Sequence, residues 1–70
     1  MIYSFHADHG PSAPTREELV DDHSAKRAAI AMCASVLDQN AAAVFENDGL
    51  ALRVRDPTGR EVIRLTVRLG

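Results

Sequence analysis

Residues 50–69 read LALRVRDPTGREVIRLTVRL. Leu50, Leu52 and Val54 alternate with Ala51, Arg53 and Arg55. After a short interruption, Ile63, Leu65, Val67 and Leu69 alternate with Val62, Arg64, Thr66 and Arg68. A period of two is the signature of a half-buried strand. The interruption is Asp56-Pro57-Thr58-Gly59. Asp favours the first position of a turn, Pro presets φ at the second, and Gly accepts the positive φ at its end. The stretch therefore predicts a β-hairpin. Pairing Leu50 with Val67, Leu52 with Leu65 and Val54 with Ile63 brings both apolar faces to one side. That register leaves Pro57–Arg60 as a four-residue loop. An odd-length loop would set Leu52 opposite Arg64 unless a bulge, for which Gly59 is well placed, restored the register.

Working back from the hairpin, Asn47-Asp48-Gly49 is a turn that delivers the chain into its first strand. Before it, Ala25, Ala29, Ile30, Cys33, Val36 and Leu37 recur at helical spacing, and Ala41, Val44 and Phe45 continue the stripe. Asp21 or Asp22 can cap the start, since a carboxylate accepts from the first-turn N–H groups and suits the positive end of the dipole. The expectation is a helix over about 22–43, although Asn40 could end it sooner. Arg16–Val20 reads either as a brief edge strand at Glu18-Leu19-Val20, the favoured reading, or as an extended lead-in to the helix. His9–Thr15, with two prolines and a glycine, reads as a loop. At the start, Tyr3 and Phe5 alternate with Ser4 and His6, giving a further strand with its aromatic side chains toward the core and His6 on the opposite face.

The fold class that follows is α+β: an antiparallel sheet of three or four strands with one helix covering one face, in the order β(β)αββ. Seventy residues make one domain over 1–70. The expected buried set is Tyr3, Phe5, Leu19, Ala29, Ile30, Cys33, Leu37, Leu50, Leu52, Val54, Ile63, Leu65 and Val67. A chain of this length hides only about 60% of the surface that its unfolded form exposes. With one cysteine it has no internal disulfide, and no zinc set is evident, so a homodimer or a protein partner is the expected support. The lone Cys33 on a helical stripe fits a reducing compartment. With neither a leader-like N-terminus nor an apolar run of about 20 residues, the expectation is a cytoplasmic chain without a membrane span.

The opening Tyr3-x-Phe5-His6, the step Glu17-Glu18-Leu19 with Asp21 beyond it, the Ala-rich helix and Val54-x-Asp56-x-x-Gly59-x-x-Val62 resemble a family of short bacterial proteins known as a domain of unknown function. The chain departs from that pattern at Ser4, where a second aromatic is usual, in the loop from His9 to Thr15, which lacks the usual Gly beside its acidic residues, and at Asp22, where a Leu commonly follows the capping Asp. The resemblance implies a strand or hairpin, one long helix and a terminal hairpin, and carries no activity with it.

The net charge of −2 is unevenly spread. Residues 49–70 hold five arginines against Asp56 and Glu61, while residues 1–48 hold three basic and eight acidic residues. Arg53, Arg55, Arg64 and Arg68 should project from one side of the hairpin, with Arg53 opposite Arg64. Directly opposed like charges are destabilising, so an anion should relieve them. Guanidinium forks fit carboxylates and phosphates. The counter-charge could be Glu17, Glu18, Asp38 and Glu46 of the chain itself or of a twin subunit, an acidic surface on another protein, or nucleic acid; the plainer alternative is a solvated face. The pI near 5.8 and the lack of interleaved aromatics weigh against nucleic acid.

Other chemistry is thinner. His6, Asp8 and His9 form a candidate metal set, but two or three ligands from one stretch do not close a tetrahedral site. Cys33 and His23 lie ten residues apart on one helix, about 15 Å of rise, too far to work as nucleophile and base. The pairs Glu17-Glu18 and Asp21-Asp22 would need a pocket, and so small a core leaves little room for one of several hundred Å3. The functional expectation is a small non-enzymatic protein-interaction or regulatory adaptor module, homodimeric and without a cofactor. The alternative is a nucleic-acid-binding protein using the arginine face.

Overall fold

The structure, a computed structural model, describes residues 1–7 and 15–70. Its elements are β1 (Ile2–Ala7), β2 (Thr15–Glu18), α1 (Asp22–Gln39), α2 (Ala41–Glu46), β3 (Gly49–Arg55) and β4 (Glu61–Arg68). The strands form one antiparallel sheet in the order β2-β1-β3-β4. α1 packs on β3 and β4, and α2 rests on β3. The α+β architecture and the element order are those expected, with four strands.

The hairpin pairs as its alternation requires: Leu50 with Val67, Leu52 with Leu65, Val54 with Ile63, and Arg53 with Arg64. Its loop differs from the four-residue expectation. Asp56 N–H donates to the Arg60 carbonyl at 3.0 Å and Gly59 N–H to the Asp56 carbonyl at 3.0 Å. These bonds leave Pro57-Thr58-Gly59 as a three-residue loop, with Gly59 at φ +90°. The register then shifts between Val54 and Arg55, so that Arg55 faces Glu61 and Val62 is the extra residue. The bulge lies inside β4 rather than at Gly59. The odd loop follows from Asp56, whose Oδ1 accepts from Thr58 N–H (2.9 Å), Thr58 Oγ1–H (2.7 Å) and Arg60 N–H (3.0 Å).

β1 lies inside the sheet, pairing on one side with β2 (Tyr3↔Glu17, Ser4↔Arg16) and on the other with β3 (Phe5↔Val54, His6↔Arg53). Tyr3 and Phe5 are buried on the helix-facing side. The second strand exists, but at Thr15–Glu18, three residues earlier than expected; Val20 is exposed.

The single long helix is a correction. α1 ends at Asn40, whose backbone leaves the helical region (φ −123°, ψ 37°) while its N–H still reaches the Val36 carbonyl at 2.9 Å. Asn competes for backbone hydrogen bonds and so favours helix ends over interiors. α2 starts again from Asn40 and buries Val44 while leaving Phe45 73% exposed. At the other end Asp21 is the cap, its Oδ1 accepting from Ser24 N–H at 2.8 Å.

The core is Tyr3, Phe5, Ala25, Ala29, Cys33, Leu50, Leu52 and Val54. Complete burial of a side chain such as Leu52 contributes about 1.5–3 kcal/mol. Leu19, Leu37, Ile63, Leu65 and Val67 pack against this cluster but stay half-buried. Ile30, expected inside, is 58% exposed. The helix presents Ala25, Ala29 and Cys33, each four residues on, to the sheet, and these small side chains allow close approach. Ile30 is thereby turned toward β4 rather than into the centre. Among the described residues no helix is long and apolar enough to cross a membrane.

Candidate functional site

Directly paired residues of an antiparallel sheet share a face, so the register lays out the side away from α1 row by row. Arg16, Ser4, Arg55 and Glu61 form one row across all four strands. His6, Arg53 and Arg64 form the next. Ala51 and Thr66 follow, and Arg68 stands beyond them opposite Gly49. The four expected arginines thus share one face, and Arg16, which periodicity within the hairpin could not reveal, joins them from β2. Arg16, Arg55, Arg64 and Arg68 are exposed, and Arg53 and His6 are half-buried.

The bulge sets the charge balance of this face. Residues 61 and 64 would point to opposite sides of a regular strand; with Val62 as an extra residue, Glu61 joins the arginines. Its Oε1 accepts from Arg64 Nε at 3.1 Å and Nη2 at 3.0 Å. The counter-ion of Arg64 therefore comes from within β4, not from Glu17, Glu18, Asp38 or Glu46. Glu18 bonds the Met1 ammonium group at 2.9 Å. Among the described residues Arg16, Arg55 and Arg68 take no hydrogen-bond or ion-pair partner.

The fifth hairpin arginine does different work. Arg60 Nη2 donates to Asp22 Oδ2 at 2.6 Å and Arg60 Nε to Asp56 Oδ2 at 3.1 Å. Asp22 Oδ1 accepts from the buried Tyr3 hydroxyl at 2.8 Å. A line of contacts so joins β1, the start of α1 and the hairpin turn. Burial first, and then the bond to Asp22, push the Tyr3 hydroxyl up to about 12. The Tyr3 hydroxyl and then Arg60 hold Asp22 below its ordinary value. Thr58 above all holds Asp56 down, and the Ser24 N–H holds Asp21 down. A phenol so hard to ionise is a poor base near neutrality, and Asp22 is already occupied on both oxygens. The cluster ties elements together. Pattern reading missed it, although a buried Tyr hydroxyl requires a partner and so signals one.

Of the weaker metal set, His6 lies on the open face opposite Arg53, while Asp8 and His9 fall outside the described residues. Among the described residues no three His, Cys, Asp or Glu side chains are grouped to hold a metal ion. Concave sites do exist, contrary to expectation. One of about 310 Å3 runs between α1 and β4, and another of about 390 Å3 lies on α1 beside Glu17. The first is lined by Ile30, Cys33, Ala34, Leu37, Leu65 and Val67, among others, and both lie on the helix side, away from the arginines.

A family model described as "Domain of unknown function (DUF6894)" matches residues 2–68, nearly the whole chain. The chain belongs to the DUF6894 family. No curated protein and no solved structure matches it. In this DUF6894 chain the positions that carried the resemblance are largely architectural. Tyr3 and Phe5 fill the core, Asp21 caps α1, and Asp56 and Gly59 shape the turn.

Proposed function

We propose that this DUF6894 chain is a small non-enzymatic interaction module, homodimeric and cytoplasmic, that presents its open sheet face to an acidic surface of another protein. One observation carries the reading: Arg16, Arg53, Arg55, Arg64 and Arg68 lie on one side of the sheet, where Glu61 is bonded to Arg64. Guanidinium forks on a fixed sheet match carboxylates in geometry as well as charge. The titratable cluster at Tyr3, Asp22 and Arg60 is consumed in holding elements together, which supports a binding role over catalysis. The overall pI near 5.8 and the placement of Tyr3 and Phe5 on the helix side favour an acidic protein over nucleic acid, since neither of these larger rings stands among the arginines to stack on a base.

The test is fluorescence anisotropy with a glutamate-rich peptide and, separately, with single-stranded DNA, each titrated at several salt concentrations. The peptide should bind at moderate salt, and Arg55→Ser with Arg68→Ser should weaken it about tenfold, the loss of two charge-assisted contacts. DNA binding that is tighter and falls linearly on log–log axes with salt would replace this reading with the nucleic-acid one. Binding of neither probe would sink both.

A further inference from the structure

The two outer strands of the sheet are unlike. β2 is four residues long, fully exposed and reads TREE, a short charged edge that resists pairing. β4 is eight residues long, and its arginines point to the open face instead of guarding the edge. Its helix-side residues Ile63, Leu65 and Val67 remain half-buried, whereas Leu50, Leu52 and Val54 on the neighbouring strand are 0–3% exposed. Beside them runs the apolar groove, bordered on α1 by Ile30, Ala34 and Leu37 at helical spacing. This is the side of the molecule where the core is unfinished.

We infer that a second copy of the chain completes it, the two β4 strands pairing antiparallel about a two-fold axis through Leu65. This rests on the homodimeric part of the proposed function and names its surface. In this register the edge is self-complementary. A continuous sheet with both helices on one side requires opposed residues to share a face. Centring the pair on Arg64 sets that arginine against its twin, and centring it on Thr66 sets Arg64 against the other Arg68. Centring it on Leu65 avoids both clashes. Ile63 then meets Val67, Arg64 meets Thr66, and Arg68 meets Val62 beside Glu61. The β4 bulge has already turned Glu61 to the open face, and Arg64 uses only its Oε1. Oε2 is available to Arg68 of the other copy, once on each side of the axis. On the helix side, Ile30 and Leu37 of the two copies close over the paired Leu65 residues. The two arginine faces join into one.

Sedimentation equilibrium of the full chain tests this. The wild type should show twice the 7.6 kDa of the chain. Glu61→Arg and Arg68→Glu should each weaken the dimer about tenfold, because each acts twice per dimer and replaces attraction by repulsion. The combined Glu61→Arg and Arg68→Glu chain should return close to wild-type association. Both side chains are exposed, so the fold should survive, and far-UV circular dichroism checks that it does. A monomeric wild type, a dimer indifferent to either change, or a loss that the double change does not recover overturns the inference. A monomer that still binds the glutamate peptide leaves the acidic-partner reading standing; a dimer of this register that ignores the peptide does the reverse.

Discussion

Tyr3 is held twice, its ring by the core and its hydroxyl by Asp22 at 2.8 Å. That double hold has a pH signature. The hydroxyl rises from 10.0 to about 12 in the folded chain, so the folded state keeps this proton more tightly than the unfolded one. Its contribution is whole below pH 10.0 and drains away as pH climbs through about 12. The carboxylates act in the opposite direction. Asp22, Asp56 and Asp21 sit below 3.8, so their contribution is whole above that value and is lost as pH falls through their lowered folded values. Urea denaturation followed over the full pH range should show a plateau with a loss at each end. Tyr3→Phe keeps the ring but removes the hydroxyl, so it should lower the plateau and remove most of the alkaline loss between pH 10.0 and about 12. Parallel alkaline loss in wild type and Tyr3→Phe would show that the Tyr3–Asp22 bond does not govern it.

Two glycines of the terminal hairpin separate two kinds of backbone demand. Gly59, at φ +90°, needs only the conformation, because nothing lies near a Cβ built there. Gly59→Ala should cost about 1–2 kcal/mol, the usual penalty for an L residue in the left-handed region. Gly49, at φ +146°, needs the space as well, because a Cβ there would run into the Val67 carbonyl oxygen. Gly49→Ala should therefore be much the more damaging, read as the denaturation midpoints of the two variants; equal effects would contradict this account of Gly49. The same hairpin marks how far pattern reading reaches. Alternation told which residues share a face, hence the arginine side and the Arg53–Arg64 opposition. It could not choose between an even loop and an odd loop with a bulge, since both satisfy the same faces. Asp56 made that choice through three bonds to the turn, and the bulge then carried Glu61 across the sheet. For α1, spacing gave a stripe, but not which edge of it faced the sheet. The small residues Ala25, Ala29 and Cys33 took the centre, and the larger Ile30 was left at the side. Arg16 and Arg60 gained their places from tertiary pairing, which no local period carries.

At the scale of the whole molecule, the net charge of −2 hides a division. The sheet's open side gathers arginines, while acids such as Asp22, Asp38 and Glu46 belong to the helical layer, so this protein is acidic in bulk and basic on one face. Its stability should be equally uneven. β1 and β3 form the middle of the sheet, and β2 is a short exposed margin. Native-state hydrogen exchange should find the slowest amides in β1 and β3 and the fastest strand amides in β2; a protected β2 would count against this ordering. The strand order also has a consequence in time. β3 and β4 are joined by a tight turn and can meet within about 1–10 μs. β1 must wait for β3 across the whole helical layer, a closure that local contacts do not assist. On a translating ribosome β1 is made well before β3, so its aromatic face stays without its main partner until most of the fold has been synthesised. The last strands to emerge are therefore those that close the sheet around one of the earliest.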